Sequence, residues 1–347
     1  MKIAVDAMGG DYAPGAIVEG AVQAARELDC QITLVGIRDV IQKELARLGA
    51  TDLRIEILHA SETVDMDESP ALAYRKKKDS SIMVGVELIK NGGADAFVSA
   101  GNTGAVMATA VLKLRPMQGV SRTPIAVMLP TQKGWSVLLD AGANVDCKPR
   151  NLLEFGIMGS IYSSFISGKE SPIVSTLSIG EEEGKGNEVL REASALLKKS
   201  SINFTGNIEA KEVYRGNADV IVCDGFVGNI SLKVSESLAE MMGKALRDVF
   251  ETNFRSKLAY LLVRPYMDAF KKRVDHSEIG GAPLLGVNGT VIISHGSSKA
   301  KSIRNAIMQA QNFTKMDINS KIRQGLEKNA EIRGETEEKQ TIDGQEK

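Results

Sequence analysis

Cysteine, aromatic side chains, net charge and long apolar runs are all scarce in this chain. Three cysteines occur in 347 residues, Cys30, Cys147 and Cys223. They are odd in number, widely separated and without a CxxC, which supports neither a disulfide framework nor a thiolate zinc site. Cys30 and Cys223 stand among apolar neighbours and read as buried thiols. Aromatic residues make up 5% of the chain and its formal net charge is −1. That leaves few stacking platforms for bases and no electrostatic pull towards nucleic acid. No apolar run is long enough to span a bilayer. The opening MKIAVDAMGGD reaches acids and glycines too early for a signal peptide. Together these absences point to a reducing cytoplasm. GxSxG, HExxH and a GxGxxG fingerprint placed after a strand are missing as well. No carboxylate cluster suggests a metal, because Glu181, Glu182 and Glu183 are consecutive and cannot all face one ion.

What is present is ordinary globular material, 43% hydrophobic and 25% charged, enough for a large core. Residues 2–5 read as a strand. Residues 16–28 read as a helix with Ile17, Ala21, Ala24 and Leu28 near one face. Strand 31–35 ends at Gly36, helix 39–48 at Gly49, and strand 54–59 follows. The alternation implies βαβ units and a mostly parallel sheet covered on both faces, an α/β fold of the Rossmann-like, doubly wound type. Further strands are expected at 123–128, 136–139, 172–177, 220–223 and 291–293, with helices at 151–165, 188–198 and 299–314. The polar segment 60–81, with Arg75, Lys76, Lys77 and Lys78, reads as a solvated loop and helix start in preference to a basic lid. Residues 1–330 form one two-lobed catalytic unit in this reading, and 331–347 form a mobile charged tail.

The stretch FVSAGNTGAVMATAVLK, residues 97–113, passes from strand to glycine-rich turn to helix. The first N–H groups of a helix lack internal partners and carry partial positive charge, so such a junction is a ready anion site. An ordinary βα turn gives the same pattern. Five other strand ends share the character, at 6–11, 140–144, 180–187, 224–229 and 294–298. In open α/β sheets ligands bind beyond the carboxyl ends of strands, so these segments can converge on one cleft. The candidate binding residues are therefore Gly9, Gly10, Asp11, Ser99, Gly101, Asn102, Thr103, Gly104, Asp140, Asn144, Gly186, Asn187, Asp224, Gly225, Gly228, Gly296 and Ser297. Lys185, between two glycines, can reach an anion; a surface lysine on a turn is the plain alternative. His295, beside Gly296 and two serines, can donate to an oxyanion or move a proton, or simply cap the next helix. His59 and His276 have no such surroundings and read as structural or surface residues.

Residues 230–275 read as a helical hairpin. Ile230, Val234, Leu238, Met241, Met242, Ala245 and Val249 lie close to helical spacing. Phe254, Leu258, Leu262, Tyr266 and Phe270 continue at four-residue intervals, and Pro265 is expected to kink or end the helix. The apolar cluster Leu258, Leu261, Leu262 and Val263 is flanked by Arg255, Lys257, Arg264, Lys271, Lys272 and Arg273. Such a segment can enter an anionic membrane surface or pack against a second subunit.

DAMGGDYAP, SAGNTGA, LLDAGANVD, IGEEEGKGN, DGFVGN and ISHGSS occur in that order. Together they closely resemble the bacterial phosphate acyltransferase family of fatty acid and phospholipid synthesis, the PlsX family, from residue 1 to about 313. The resemblance implies transfer of a long acyl chain from acyl carrier protein to inorganic phosphate. It implies a fold similar to phosphotransacetylases and the isocitrate dehydrogenase group, a homodimer and no organic cofactor. It further implies peripheral membrane association beside a glycerol-3-phosphate acyltransferase that consumes the acyl phosphate. In that light Lys185 would hold phosphate with the N–H groups near Gly101–Gly104 and Asn187. Asn229 and His295 would be oxyanion donors, with the aspartates orienting loops. The basic residues flanking the hairpin cluster would dock the acidic carrier. The competing readings are a non-catalytic membrane scaffold for the carrier and a metal- or nicotinamide-dependent dehydrogenase of similar fold.

Overall fold

A computed structural model describes residues 1–274 and 279–332, without the side chains of 269 and 271–274. The tail from 333 onward and His276 lie outside the described residues. The first sheet takes β1 (Lys2–Asp6), β2 (Gln31–Gly36), β3 (Ile55–His59) and β4 (Ala96–Ser99) from the start of the chain. The second holds β5 (Val127–Thr131), β6 (Gly134–Leu139), β7 (Ile173–Ser178), β8 (Asn203–Glu209) and β9 (Val220–Val222). The chain then returns to the first sheet through β10 (Ala282–Pro283) and β11 (Thr290–Ile293). The strand orders are β10-β11-β4-β1-β2-β3 and β5-β6-β9-β7-β8. All pairings are parallel except β10 with β11 and β5 with β6.

Crossover helices cover the sheets. Around the first lie α1 (Gly15–Glu27), α2 (Arg38–Arg47), α3 (Pro70–Lys76), α4 (Ser81–Lys90) and α5 (Thr103–Leu114). Alternation along β1 sorts its side chains. Ile3 and Val5 join Ile17 and Ala21 of α1 in one core, while Ala4 joins Val86 of α4 and Val106 of α5 in another. The second sheet packs one face on α6 (Pro149–Ser167) and α7 (Glu188–Lys199), through Leu152, Phe155, Met158 and Leu197. Its other face is thinner, with Leu138, Leu177 and Ile221 under Val213 and Ala218. The expected strand at 123–128 begins later and runs to Thr131. It is an edge strand, where Pro130 is tolerated.

Two long helices, α8 (Gly225–Glu251) and α9 (Phe254–Val274), form the expected hairpin, α8 alone being about 40 Å long. Pro265 lies inside α9 and does not end it, its missing donor falling on an exposed turn. The turn of the hairpin is at residues 252–253, so its tip carries Phe254, and Leu258, Leu261 and Leu262 sit in the first turns of α9. The chain closes with α10 (Ala300–Lys315), packed on α1, and α11 (Ile318–Lys328), packed on α6. Among the described residues no helix is long and apolar enough to cross a membrane.

Candidate active site

In the first sheet β11, β4 and β1 are parallel neighbours, so the loops after them rise side by side from one edge. These are the segments at 294–298, 99–104 and 6–11. Asp6 is fully buried at their root. Its Oδ2 accepts the Ser99 hydroxyl at 2.7 Å and its Oδ1 accepts the Met8 N–H at 3.1 Å. Burial pushes the Asp6 carboxyl above the usual carboxylate range, against the pull of these donors. Gly9 is required because a Cβ there would strike the Asp6 carboxylate and the Gly101 backbone. The Asp11 N–H donates to the Gly296 carbonyl at 2.8 Å, and Ser99 Oγ accepts the Gly101 N–H at 3.0 Å.

Asn102 caps α5 through Oδ1, which accepts the Ala105 N–H at 3.0 Å. Its Nδ2 donates to the carbonyls of Asp65, Met66 and Glu68, at 3.2, 3.0 and 2.9 Å. Both ends of this amide are thus committed to holding structure. The backbone N–H groups of Thr103 and Gly104 have no partner among the described residues. They form the open, positively polarised end of α5.

The second sheet repeats the arrangement with β6, β9 and β7 as parallel neighbours. Asp140 is fully buried. Its Oδ1 accepts N–H groups of Ile125, Gly142 and Ala143 at 3.0, 3.2 and 3.0 Å. Its Oδ2 takes the backbone and side-chain N–H groups of Asn144. Asp224 caps α8 by accepting the Val227 N–H at 2.8 Å, and a Cβ on Gly228 would collide with the Asp140 carbonyl. Gly225 N–H donates to the Asn144 carbonyl at 2.7 Å. Burial and the neighbouring carboxylates raise the thiols here, Cys147 to about 12 and Cys223 well above its ordinary value. Both are poor nucleophiles at neutral pH.

Lys185 occupies the loop after β7, exposed to solvent. The loop is held by Asn187, which caps α7 by accepting the Leu190 N–H at 2.8 Å. Arg191 also donates to the Gly186 carbonyl at 2.9 Å, and Asn207 to the Glu182 carbonyl at 2.9 Å. β7 is two strands from β6, about 10 Å along the sheet edge.

Between the two edges lies a cavity of about 690 Å³. Thr103, Gly104, His295 and Ser298 reach it from the first lobe, Gly142 from the second and Asn229 from α8. The Asn229 side chain lies against Gly142, and its amide has no hydrogen-bond partner among the described residues. His295 Nδ1 accepts the Ser297 N–H at 3.2 Å and stands 2.7 Å from Ser297 Oγ. In the neutral ring this puts the proton on Nε2. A helix N-terminus, an amide and an imidazole suit a phosphate or a developing oxyanion. Met107, Val127, Leu129, Leu232, Leu238 and Met242 make much of the remaining wall apolar. Among the described residues no group of three His, Cys, Asp or Glu is placed to hold a metal.

Of the residues expected in the site, Thr103, Gly104, Asn229 and His295 line this cavity, whereas Lys185, Gly186 and Asn187 do not. Gly9, Asp11, Ser99, Gly101, Asn102, Asp140, Asn144, Asp224, Gly225, Gly228 and Ser297 hold the loops that shape it. Gly10 and Gly296 pack against one another in the same way. Sequence reasoning missed Ser298, Met107, Tyr214 and the apolar wall. The available signal is the apolar stripe on α8, whose spacing fits a dimer or membrane surface as well as a cavity wall. On the hairpin, Arg255, Lys257 and Arg264 are exposed, Leu262 is 76% exposed and Val263 is half-buried. The side chains of Lys271, Lys272 and Arg273 lie outside the described residues.

Residues 1–321 match the profile of the family described as fatty acid synthesis protein. A phosphate acyltransferase from Citrifermentans bemidjiense is 49% identical over 326 residues, covering 94% of this chain and 93% of that protein. One from Syntrophotalea carbinolica is 51% identical over 320 residues, covering 92% of each. Among solved structures, a phosphotransacetylase from Streptococcus pyogenes has TM-score 0.60 at 21% identity, covering 90% of this chain and 94% of that one. EutD phosphotransacetylase from Staphylococcus aureus has TM-score 0.57 at 18% identity, with the same coverage. The structural likeness is one of fold. The sequence matches run nearly end to end, and by them this chain belongs to the fatty acid synthesis protein family, the PlsX phosphate acyltransferases, enzymes of the acyltransferase class.

Proposed function

We propose that this enzyme transfers a long-chain acyl group from the thioester of acyl carrier protein to inorganic phosphate, giving acyl phosphate for phospholipid synthesis. A phosphate oxygen attacks the thioester carbonyl carbon, the carbonyl oxygen becomes an oxyanion, and the C–S bond then breaks to release the carrier thiolate. The carrying observation is the convergence of the open N-terminus of α5, the Asn229 amide and the His295 imidazole on one cavity. The N–H groups of Thr103 and Gly104 are the phosphate donors in this reading. Asn229 faces the oxyanion, with the His295 imidazole beside it on the same wall. Lys185, exposed on the loop after β7, is the nearest-loop candidate for the balancing cation and is tested below. The raised thiols of Cys147 and Cys223 favour direct attack by phosphate over an acyl-enzyme.

The exposed apolar stripe at the start of α9 fits a peripheral, cytoplasmic contact with an anionic membrane, where a glycerol-3-phosphate acyltransferase consumes the product. Arg255, Lys257 and Arg264, with Lys271, Lys272 and Arg273, are the docking surface for the acidic carrier. The outer apolar face of α8, including Val234, Met241 and Val249, is the contact with the second subunit of a homodimer.

The test is phosphate-dependent loss of thioester from long-chain acyl carrier protein, with the product trapped by hydroxylamine, for wild type and Lys185→Ala. Acyl phosphate from wild type, reduced about 100-fold in the variant, is the expected result. A folded wild type that yields none would move the non-catalytic scaffold reading to the front. Equal rates would remove Lys185 from the site.

A further inference from the structure

The cavity continues beyond its polar mouth. From Asn229 the α8 side chains that line it run on through Leu232 and Ala239 to Met242, at three- to four-residue multiples and so on one face of the helix. The thirteen steps from Asn229 to Met242 cover about 20 Å of helix axis. Leu129 of β5 and Met107 of α5 add to the wall, and its lining is mostly apolar. A thioester carbonyl held at Asn229 has its hydrocarbon tail attached directly to it. That tail must lie in water, in lipid or along this groove, and each methylene taken out of water favours binding about fourfold.

We infer that the groove along α8 seats the acyl chain, with the carbonyl at Asn229 and the methyl end towards Met242, and that the side chain at position 239 sets the longest chain accepted. The inference rests on the acyl-transfer reading above and adds where the chain lies and what measures it. Length selection follows from the geometry. A short chain ends before Ala239, whereas a long one must pass it.

Ala239 is exposed on the groove face, so a larger side chain can be placed there without disturbing a core. Ala239→Phe is expected to lower kcat/KM for long-chain relative to short-chain acyl carrier protein by about tenfold, the loss of roughly two buried methylenes. An unchanged chain profile, with an unchanged urea midpoint, overturns the inference. A shift in oligomeric state with no change in profile also overturns it and assigns the groove to a second copy of the chain. As an independent measure, a long-chain acyl carrier protein thioester with a photoreactive diazirine near its methyl end should label peptides containing residues 127–130 or 238–242. Label confined to the hairpin end, residues 254–262, would place the chain there instead. Failure of wild type to make acyl phosphate from any donor would strike the reaction itself and is read separately.

Discussion

Asn144 bonds the Asp140 carboxylate twice, through its backbone N–H at 2.6 Å and its side-chain Nδ2 at 2.9 Å. Three further N–H groups bond the other oxygen of Asp140. The loop from 140 to 144 therefore folds around a buried carboxyl group, which burial raises above the usual carboxylate range against the pull of these donors, and α8 starts against that loop at Gly228. Asp140→Asn replaces one acceptor by a donor facing N–H groups. It should cost about 1–3 kcal/mol, the penalty of unmade buried hydrogen bonds. Urea denaturation should show a lower midpoint with an unchanged slope. Asn144→Ala should cost less, because its backbone N–H remains.

Asp6 holds the corresponding place in the first lobe, and its consequence is a pH dependence. Its folded-state carboxyl is raised by burial above the ordinary 3.8. The native state therefore binds this proton at a pH where the unfolded state has released it. Stability from this group is gained as pH falls through the raised value and is complete below 3.8. Wild type should gain stability relative to Asp6→Asn as the pH is lowered from 7 towards 4. Urea midpoints of the two proteins across that range would measure it. A gap independent of pH would mean that the carboxyl does not titrate there.

Asn102 links the end of α5 to the polar segment after β3. Removing its side chain deletes the helix cap and three donated bonds. Loss of such a cap costs about 1 kcal/mol. The released segment should show more than the global effect. In Asn102→Ala, amide exchange at residues 61–69 should rise well above that of β1 and β4, and phosphate affinity should fall as the α5 N-terminus loses its fixed direction.

The fold was largely legible because parallel strands buried on both faces leave short apolar runs between helical patterns, as at β1 and α1. The motifs were legible too, since all six rise from two sets of three adjacent strands. Their chemistry was not. Asn102, Asn187 and Asp224 have the residue types of ligands, yet each spends its side-chain oxygen on the cap of a helix. Sequence gives the acceptor but not the N–H group that has already taken it. The apolar wall was hidden for a related reason. Leu232 and Met242 are spaced like any buried helix face, and only the tertiary arrangement shows that they border a cavity.

Asn229 is the exception among the amides, with no partner among the described residues and a place on the cavity wall. Asn229→Ala should leave stability within about 0.5 kcal/mol, as for an exposed substitution away from caps and cores. It should lower kcat by about 100-fold with little change in KM for phosphate, the signature of a donor used mainly in the transition state. A large rise in KM with kcat unchanged would instead make it a ground-state ligand.

Phe254, Leu258, Leu261 and Leu262 are all more than half exposed, on a hairpin far from either core. Leaving such a stripe in water is costly, each leucine being worth about 1.5–3 kcal/mol when fully buried. Arg255 and Lys257 adjoin it, so anionic vesicles should be preferred and salt should weaken binding. Leu258→Ser with Leu262→Ser, which adds no charge beside the carrier-docking residues, should reduce sedimentation with anionic vesicles more than tenfold. Turnover of soluble acyl carrier protein thioester should stay near wild type, because the pair lies outside the cavity wall. If vesicle binding survives, the stripe is covered by protein. If turnover is lost together with a change in oligomeric state, that protein is a second copy of the chain.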